Sequence, residues 1–421
     1  MSVADTPQSD IRDDDLLNAA RAAFDPVLPA RVAVAASGGG DSMALLQVFA
    51  QLTKSDDLAL EAVTVDHGLR PEAATEIALV ARTCADLGIA HHVLRWDGWV
   101  GAGNLMAAAR DARYRLIADW AATSGVDAVV LGHTADDVAE NFLIRLTRKA
   151  GPDGLSKMDA RFDRLGVTWA RPLLGHSRSE LRSYLQRHGI AWAEDPTNDD
   201  DSFDRARARK ALSILSDLGV TVDALNSVSD AMRGARLALD HYAQIEARRY
   251  IVQEAGDLVL RLGLTGPLPA EIKRRLWRAA IPWINGSDYP PRQSTLFDIV
   301  ASLQNDGSAT MGGCLITRKA DDWRITREYS AVRDLACKTT ELWDGRWTID
   351  GPHDHTLVVR ALGDGIHHCT EWREVGLPRT SLIATPAIWH GDELIAAPFA
   401  GLRNGWSAQI AADFHQHAFA H

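Results

Sequence analysis

The sequence predicts an α/β protein: a parallel-sheet domain over residues 1–217, a helical domain over 218–330, and a small mixed or β-rich domain over 331–421. Three observations predict it. Apolar runs alternate with helical patterns up to residue 150, the rhythm of parallel strands joined by crossover helices. A chain of 421 residues with 46% hydrophobic content is too long for one core and apolar enough for more than one. After residue 217 strand signals stop, and they return from about residue 308 as short runs, punctuated further on by Trp, Gly and Pro.

The elements follow in order. A helix is expected over Asp14–Phe24. Val32–Ala36 is a short apolar run, expected as a buried strand that ends in a glycine-rich loop, with a helix over Met43–Leu52. Leu58–Val65 is a second strand, ending at Asp66–His67–Gly68. A helical pattern covers Glu72–Leu87, and a strand is expected near His91–Trp96. A long Ala/Arg helix (Asn104–Thr123), a strand (Asp127–Leu131) ending in Gly132–His133, and a helix (Ala135–Lys149) complete the alternation. Helices are expected over 178–189 and 204–217, joined by the polar turn Asp195–Asp201. Residues 221–255 carry one long helical pattern without a strand signal, and 268–305 look helical again. Cys314–Thr317 and Trp323–Thr326 are short strand signals.

The bulk properties narrow the function. Net charge is −11, but polyanion binding needs only a local basic surface. The four cysteines (Cys84, Cys314, Cys337, Cys369) form no C-x-x-C pair, which argues against a zinc knuckle, an iron–sulfur cluster or a redox dithiol. Scattered cysteines fit a reducing compartment. The polar, acidic start has no signal-peptide pattern, and no apolar run is long enough to span a membrane. The expected location is the cytoplasm.

Three motifs sit at the expected carboxyl ends of strands, where such sheets carry function. The first is Ser37–Gly38–Gly39–Gly40–Asp41–Ser42, between a strand and a helix. Glycines there allow positive φ and close backbone approach to an anion. The helix N-terminus adds unpaired N–H donors and a favourable dipole, and the serines add hydroxyls. Asp41 fits beside a polyanion only as a cap or a cation ligand. The pattern is neither a Walker A loop nor G-x-G-x-x-G.

The second motif is Asp66–His67–Gly68–Leu69–Arg70, a compact polar site if it is more than a strand-ending turn. In the third, His133, Asp136, Asp137 and Glu140 share one helix face, opposite a stripe of Val138, Phe142 and Leu146. That face suits Mg2+ or an ammonium group. Thr134 with Asp137 also resembles a capping box, and both readings can hold. Arg110 and Arg113 lie one helical turn apart. From Phe142 to Arg187 there are ten Lys/Arg, Arg171 among them, against four Asp/Glu. The runs Arg205–Lys210, which includes Arg209, and Lys273–Arg278 add to this basic footprint for a polyanion.

The glycine loop resembles that of the PP-loop ATP pyrophosphatases, which implies ATP cleavage between the α- and β-phosphates. The full set resembles one family, the tRNA(Ile)-lysidine synthases. It comprises SGGGDS (37–42), DHGLR (66–70), AARDARYRLI (108–117), GHTADDVAEN (132–141), GPDGLSKM (151–158), RPLL (171–174) and EDPTN (194–198). The resemblance implies an adenine nucleotide alpha hydrolase-like catalytic domain followed by two domains that grip tRNA. It implies adenylation of the wobble cytidine of a CAU-anticodon isoleucine tRNA, then displacement of AMP by free lysine. Decoding would change from AUG to AUA, and tRNA identity from Met to Ile. The cofactors implied are ATP and Mg2+. Ser37 to Ser42, His67 and His133 would hold ATP. Asp66, Asp137 and Glu140 would handle Mg2+ and lysine, with Asp41 and Asp137 as the metal carboxylates, although spacing does not decide between the carboxylates. Arg70, Arg110, Arg113, Asp136, Arg171, Arg205 and Arg209 would face substrate or tRNA. Homodimerisation is left open.

The sequence departs from the family pattern at Val138 and Asn141, where Gln and Thr are usual, at Arg148–Gly151 and at Ala206, usually Asn. A thiolation enzyme with the same loop is a rival, but it needs a reactive cysteine where only Cys84 is at hand. An amidotransferase-type synthetase would need an ammonia source. A catalytically inactive tRNA- or ATP-binding protein would not need Ser37, Asp41, Asp66, Asp137 and Glu140 intact.

Overall fold

The computed structural model describes residues 12–68, 73–97, 105–194, 204–261, 268–287, 307–320 and 322–419. It divides into two compact units, Met1–Arg236 and Leu237–His421. The first is built on a six-stranded sheet of β1 (Arg31–Ala35), β2 (Ala59–Asp66), β3 (Ala90–Arg95), β4 (Ala128–Leu131), β5 (Arg161–Arg164) and β6 (Val167–Ala170). Their order is β3-β2-β1-β4-β6-β5, and every pairing is parallel except β5–β6. The helices of this unit are α1 (Asp13–Ala22), α2 (Gly40–Leu52), α3 (Ala73–Leu87), α4 (Leu105–Ser124), α5 (Ala135–Thr147), the single turn α6 (Pro152–Leu155), α7 (Arg178–Arg187) and α8 (Asp204–Leu215), and α9 (Val222–Tyr250) belongs to it only up to Arg236.

Strand β1 explains the layers. Val32 and Val34 are buried with Leu16 of α1, Leu45 and Phe49 of α2, and Leu181 and Tyr184 of α7. Ala33 between them belongs to the opposite core, with Tyr114, Ile117 and Ala121 of α4 and Trp169 of β6. Alternate strand residues face opposite sides. A run that is apolar at every position therefore needs cover on both faces.

The chain runs from β1 outward to β2 and β3, then returns to lay β4 against the other side of β1. Ligands of open α/β sheets bind where the strand order reverses, at the carboxyl ends. The glycine loop follows β1 and Gly132–His133–Thr134 follows β4, so both motifs lie at that crevice.

The second unit has a five-stranded antiparallel sheet of β7 (Ile251–Glu254), β8 (Asp257–Leu260), β9 (Ser308–Met311), β10 (Cys314–Lys319) and β11 (Asp322–Arg327), ordered β7-β8-β11-β10-β9. Helix α10 (Ala270–Asn285) shares its core through Ile272, Leu276, Trp277, Ile281 and Ile284. Smaller sheets join β12 (Ala336–Lys338), β14 (Leu357–Ala361), β15 (Pro386–His390) and β16 (Glu393–Ala396), and pair β13 (Trp347–Asp350) with β17 (Ser407–Ile410). Trp343, Trp347 and Trp406 fill the core they share.

Two hairpins differ from the sequence expectation. The helix expected through residue 255 stops at Tyr250, and β7–β8 follows. Residues 161–170 form β5–β6, which no strand signal anticipates. The turns have positive φ at Leu165–Gly166 and at Ala255–Gly256. The usual hairpin signal is Asn-Gly or Asp-Gly. Leu and Ala in the first turn position conceal it.

Candidate active site

The glycine loop is shaped for an anion. Gly38 has φ of 86°, and a Cβ there would lie 3.2 Å from the backbone oxygen of Glu76. Helix α2 starts at Gly40 and, among the described residues, no side chain caps it, an arrangement that suits an anion at its first N–H groups. The Ser42 hydroxyl donates to the Gly39 carbonyl (2.9 Å), accepts from the Ser37 N–H (3.1 Å) and lies 3.2 Å from the Ser37 hydroxyl. The Ala193 N–H donates to the Gly38 carbonyl at 2.9 Å. Gly132, at the end of β4, packs directly on the start of α2. A Cβ there would sit 3.0 Å from the Asp41 carbonyl carbon and oxygen.

Helix α5 begins with the expected capping box. Asp137 Oδ2 accepts from the Thr134 N–H (2.9 Å) and hydroxyl (3.0 Å). Two of its three carboxylates are buried rather than presented openly at the strand ends: Asp137 is 5% exposed and Glu140 1%, with Asp136 partly exposed. Of the expected apolar stripe, Val138 and Phe142 are buried but Leu146 is 50% exposed, and the helix packs through Ala139, Phe142 and Leu143 against Leu212, Val220, Val222 and Leu225.

Arginines meet the acids. Arg178 donates from Nε to Asp41 Oδ2 (3.2 Å) and from Nη1 to Glu140 Oε1 (3.0 Å), with Nη2 3.7 Å from Asp137 Oδ1. Arg209 Nε donates to Glu140 Oε1 (2.6 Å), and Arg205 Nη1 lies 3.4 Å from Asp137 Oδ1. Arg205 and Arg209, one turn apart on α8, match Asp137 and Glu140, one turn apart on α5. Asp136 instead accepts from the backbone N–H of Arg178 at 2.7 Å, at the N-terminus of α7. In the sequence Arg178 stands out only as one of the ten basic residues between Phe142 and Arg187. The pair Ser177 and Glu180 forms a capping box that marks a helix start at Arg178, but no local signal names its partners.

Burial pushes the Asp41 carboxyl up against the pull of Arg178, with Asp137 and Asp136 adding to the rise. Burial also opposes ionisation of Asp137, but the Arg205 and Arg178 guanidiniums and the Thr134 N–H outweigh it and hold its carboxyl down. His133 is pushed down by burial, with Arg171, Arg113 and Arg110 adding to the effect, so its ring is neutral at pH 7. Its Nδ1 is buried and, among the described residues, has no hydrogen-bond partner.

Arg110, Arg113 and Arg171 form a second cluster. Arg110 and Arg113 lie 5.3 and 6.0 Å from the Tyr114 ring, and Arg171 is 4.2 Å from that of Phe162. Asp66, at the end of β2, accepts from the Gly68 N–H at 2.9 Å, and His67 meets the Trp96 ring edge-on at 5.5 Å. Arg70 lies outside the described residues. Cys84 is a core residue whose thiol burial pushes up to about 11, far from a nucleophilic thiolate. In the second unit, Arg275 of the later basic run is buried and paired with Asp240 and Glu271, so that part of the run is internal.

Among the described residues no three His, Cys, Asp or Glu side chains converge as a metal cage. That is compatible with Mg2+, which is usually held by one or two carboxylates together with substrate phosphates and waters. Asp41 and Asp137 suit such a share. Among the described residues, no single helix is long and apolar enough to cross a membrane.

A family model described as a PP-loop domain matches residues 14–215. A tRNA(Ile)-lysidine synthase of Ruegeria pomeroyi is 45% identical over 97% of this chain and 98% of that protein. Proteins of the same name from Bradyrhizobium and Wolbachia pipientis are 37% and 33% identical, over 70% and 79% of this chain and 88% and 80% of theirs. Among solved structures, the U34-tRNA thiolase NcsA of Methanococcus maripaludis is 15% identical, covers 52% of this chain and 79% of that one, and has a TM-score of 0.46.

Proposed function

The chain belongs to the tRNA(Ile)-lysidine synthase family, and from that membership we propose how its site joins free lysine to C2 of the wobble cytidine of a CAU-anticodon tRNA(Ile). ATP is bound by the PP-loop domain. In the first step the cytidine O2 bonds to the α-phosphorus, the bond to the bridging oxygen breaks, and pyrophosphate leaves. In the second, lysine Nζ bonds to C2, the C2–O2 bond breaks, and AMP leaves carrying O2. Only the neutral amine attacks, so a carboxylate must first take a proton from the ammonium.

One observation carries the reading. The glycine loop and the acidic helix meet through a shared guanidinium, since Arg178 binds both Asp41 and Glu140. An anion-binding loop and buried carboxylates within one side chain's reach suit a site that releases pyrophosphate and then accepts an amine.

Ser37, Gly38, Gly39, Gly40 and Ser42, with the first N–H groups of α2, would hold the phosphates, and His67 and His133 would flank the nucleotide. Asp66, Asp137 and Glu140 would receive lysine and its proton. Mg2+, when held by Asp41 and Asp137, would neutralise charge on the pyrophosphate leaving group. Arg110, Arg113 and Arg171, with Arg205 on α8, would face tRNA phosphates, and residues 218–330 and 331–421 would grip the tRNA.

The test measures pyrophosphate release and labelled lysine transfer with ATP, Mg2+, lysine and purified tRNAs. Both should require the CAU-anticodon isoleucine tRNA. Release that is indifferent to the tRNA, or lysine that never enters it, sinks the reading. Asp137→Asn should abolish lysine transfer and spare most tRNA binding, whereas wild-type transfer would reduce Asp137 to a helix cap.

A further inference from the structure

Arg178 is held at both ends. It is the first residue of α7, whose cap is closed by Ser177 and Glu180, and its own N–H is fixed by Asp136. Its guanidinium reaches Asp41 on α2 and Asp137 and Glu140 on α5. The N-termini of three helices thus converge on one side chain that is 20% exposed.

The oxygens of Glu140 are not equivalent. Oε1 accepts from Arg178 Nη1 and Arg209 Nε. Oε2 is buried and, among the described residues, has no hydrogen-bond partner. Asp137 differs, because its Oδ2 is saturated by Thr134 and its Oδ1 faces Arg178 and Arg205. A buried acceptor without a donor is costly, and such atoms mark places where a ligand donor belongs. The lone acceptor is on the residue that Arg178 orients.

We propose that Arg178 is a positioning residue for lysine transfer: by gripping Asp41 and the Oε1 edge of Glu140 together, it aligns the glycine loop with Glu140 Oε2, the oxygen that receives the lysine amine. This rests on the lysidine reading above. Arg178 touches the carboxylates rather than the reacting atoms. A guanidinium is needed because its planar fork spans acids on two helices, where an ammonium is a single point charge.

The test uses the full chain with Arg178→Met, Arg178→Lys and Glu140→Gln. Adenylation is followed as tRNA-dependent pyrophosphate release without lysine, and the second step as lysine transfer over a range of lysine concentrations. Arg178→Met should raise the KM for lysine about tenfold or more, the loss expected of a charge-assisted hydrogen bond, with adenylation reduced far less. Arg178→Lys should recover part of that KM. Adding Arg178→Met to Glu140→Gln should cost little beyond Glu140→Gln alone, because both act through one oxygen. Equal falls in both half-reactions, an unchanged lysine KM, or additive losses would overturn the proposal. If Arg178→Met does not fold, Arg178→Lys and its cycle with Glu140→Gln decide by the same criteria. A wild-type protein that transfers no lysine defeats the lysidine reading itself. A wild type that transfers lysine, with no split in the variants, defeats only the role of Arg178.

Discussion

Replacing Gly132 with alanine should disable the glycine loop from outside it. The added Cβ would lie 3.0 Å from the Asp41 carbonyl carbon and oxygen and 3.1 Å from Ser42 Cα. Comfortable carbon contacts lie at about 3.5–4.0 Å, so some backbone must retreat by roughly half an ångström. Strand β4 cannot easily retreat, because it is paired with β1 on one side and β6 on the other. The displacement therefore falls on the first turn of α2, whose N–H groups and Ser42 form the anion cradle. Overpacking of this kind costs about 1–3 kcal/mol of stability. A half-ångström error in a reactant's position lowers the rate by about tenfold, given that 1 Å costs about a hundredfold. Pyrophosphate release at saturating ATP and tRNA, with a thermal melt of the same sample, measures both effects. Gly175→Ala is the control, since its Cβ would meet no atom of the described residues within 4 Å. If Gly132→Ala releases pyrophosphate within about twofold of wild type at an unchanged melting temperature, the reasoning from packing to rate fails.

Three further outcomes are expected. Trp169 is fully buried against Tyr114 (4.7 Å) and donates from Nε1 to the Arg164 carbonyl (3.0 Å), so Trp169→Ala should cost about 3–5 kcal/mol in denaturant unfolding, and a loss under about 1 kcal/mol would contradict its place in the core. Burial holds His91, His133 and His176 below the usual imidazole range, so the unfolded chain gains protons near pH ~6.5 that the folded one refuses; stability is complete above that pH and falls below it, by at most about 1.4 kcal/mol per pH unit for each fully excluded ring, and urea midpoints equal at pH ~7.5 and ~5.5 would refute this. Affinity for tRNA should fall with salt at a slope of about −0.7 to −0.9 per phosphate neutralised, and Arg113→Ala should make the slope shallower by about one contact; a flat dependence would remove the arginine clusters as a footprint.

What is readable in this chain is what is local. Strand β1 announces itself because both of its faces are buried, and the loop after it because its glycines have no substitute where Gly38 takes a positive φ. The two unread hairpins fail for a local reason as well. Leu165 and Ala255 occupy turn positions where Asn or Asp would have signalled a turn, and the sheets on either side impose the conformation regardless. The site is harder because its meaning is made at a distance. Periodicity puts Asp136, Asp137 and Glu140 together on α5 but wrongly adds His133, which precedes the N-cap Thr134, and it cannot say what covers the acids. Helix α7 brings Arg178 to Asp41 across 137 residues of sequence, and α8 brings Arg209 to Glu140 across 69. Three acids alike in spacing thereby acquire different roles. Asp136 terminates a neighbouring helix and Asp137 caps its own. Glu140, gripped at one oxygen by two arginines, keeps the other without a donor among the described residues, and that asymmetry, invisible in the sequence, makes it the strongest candidate to meet an incoming amine.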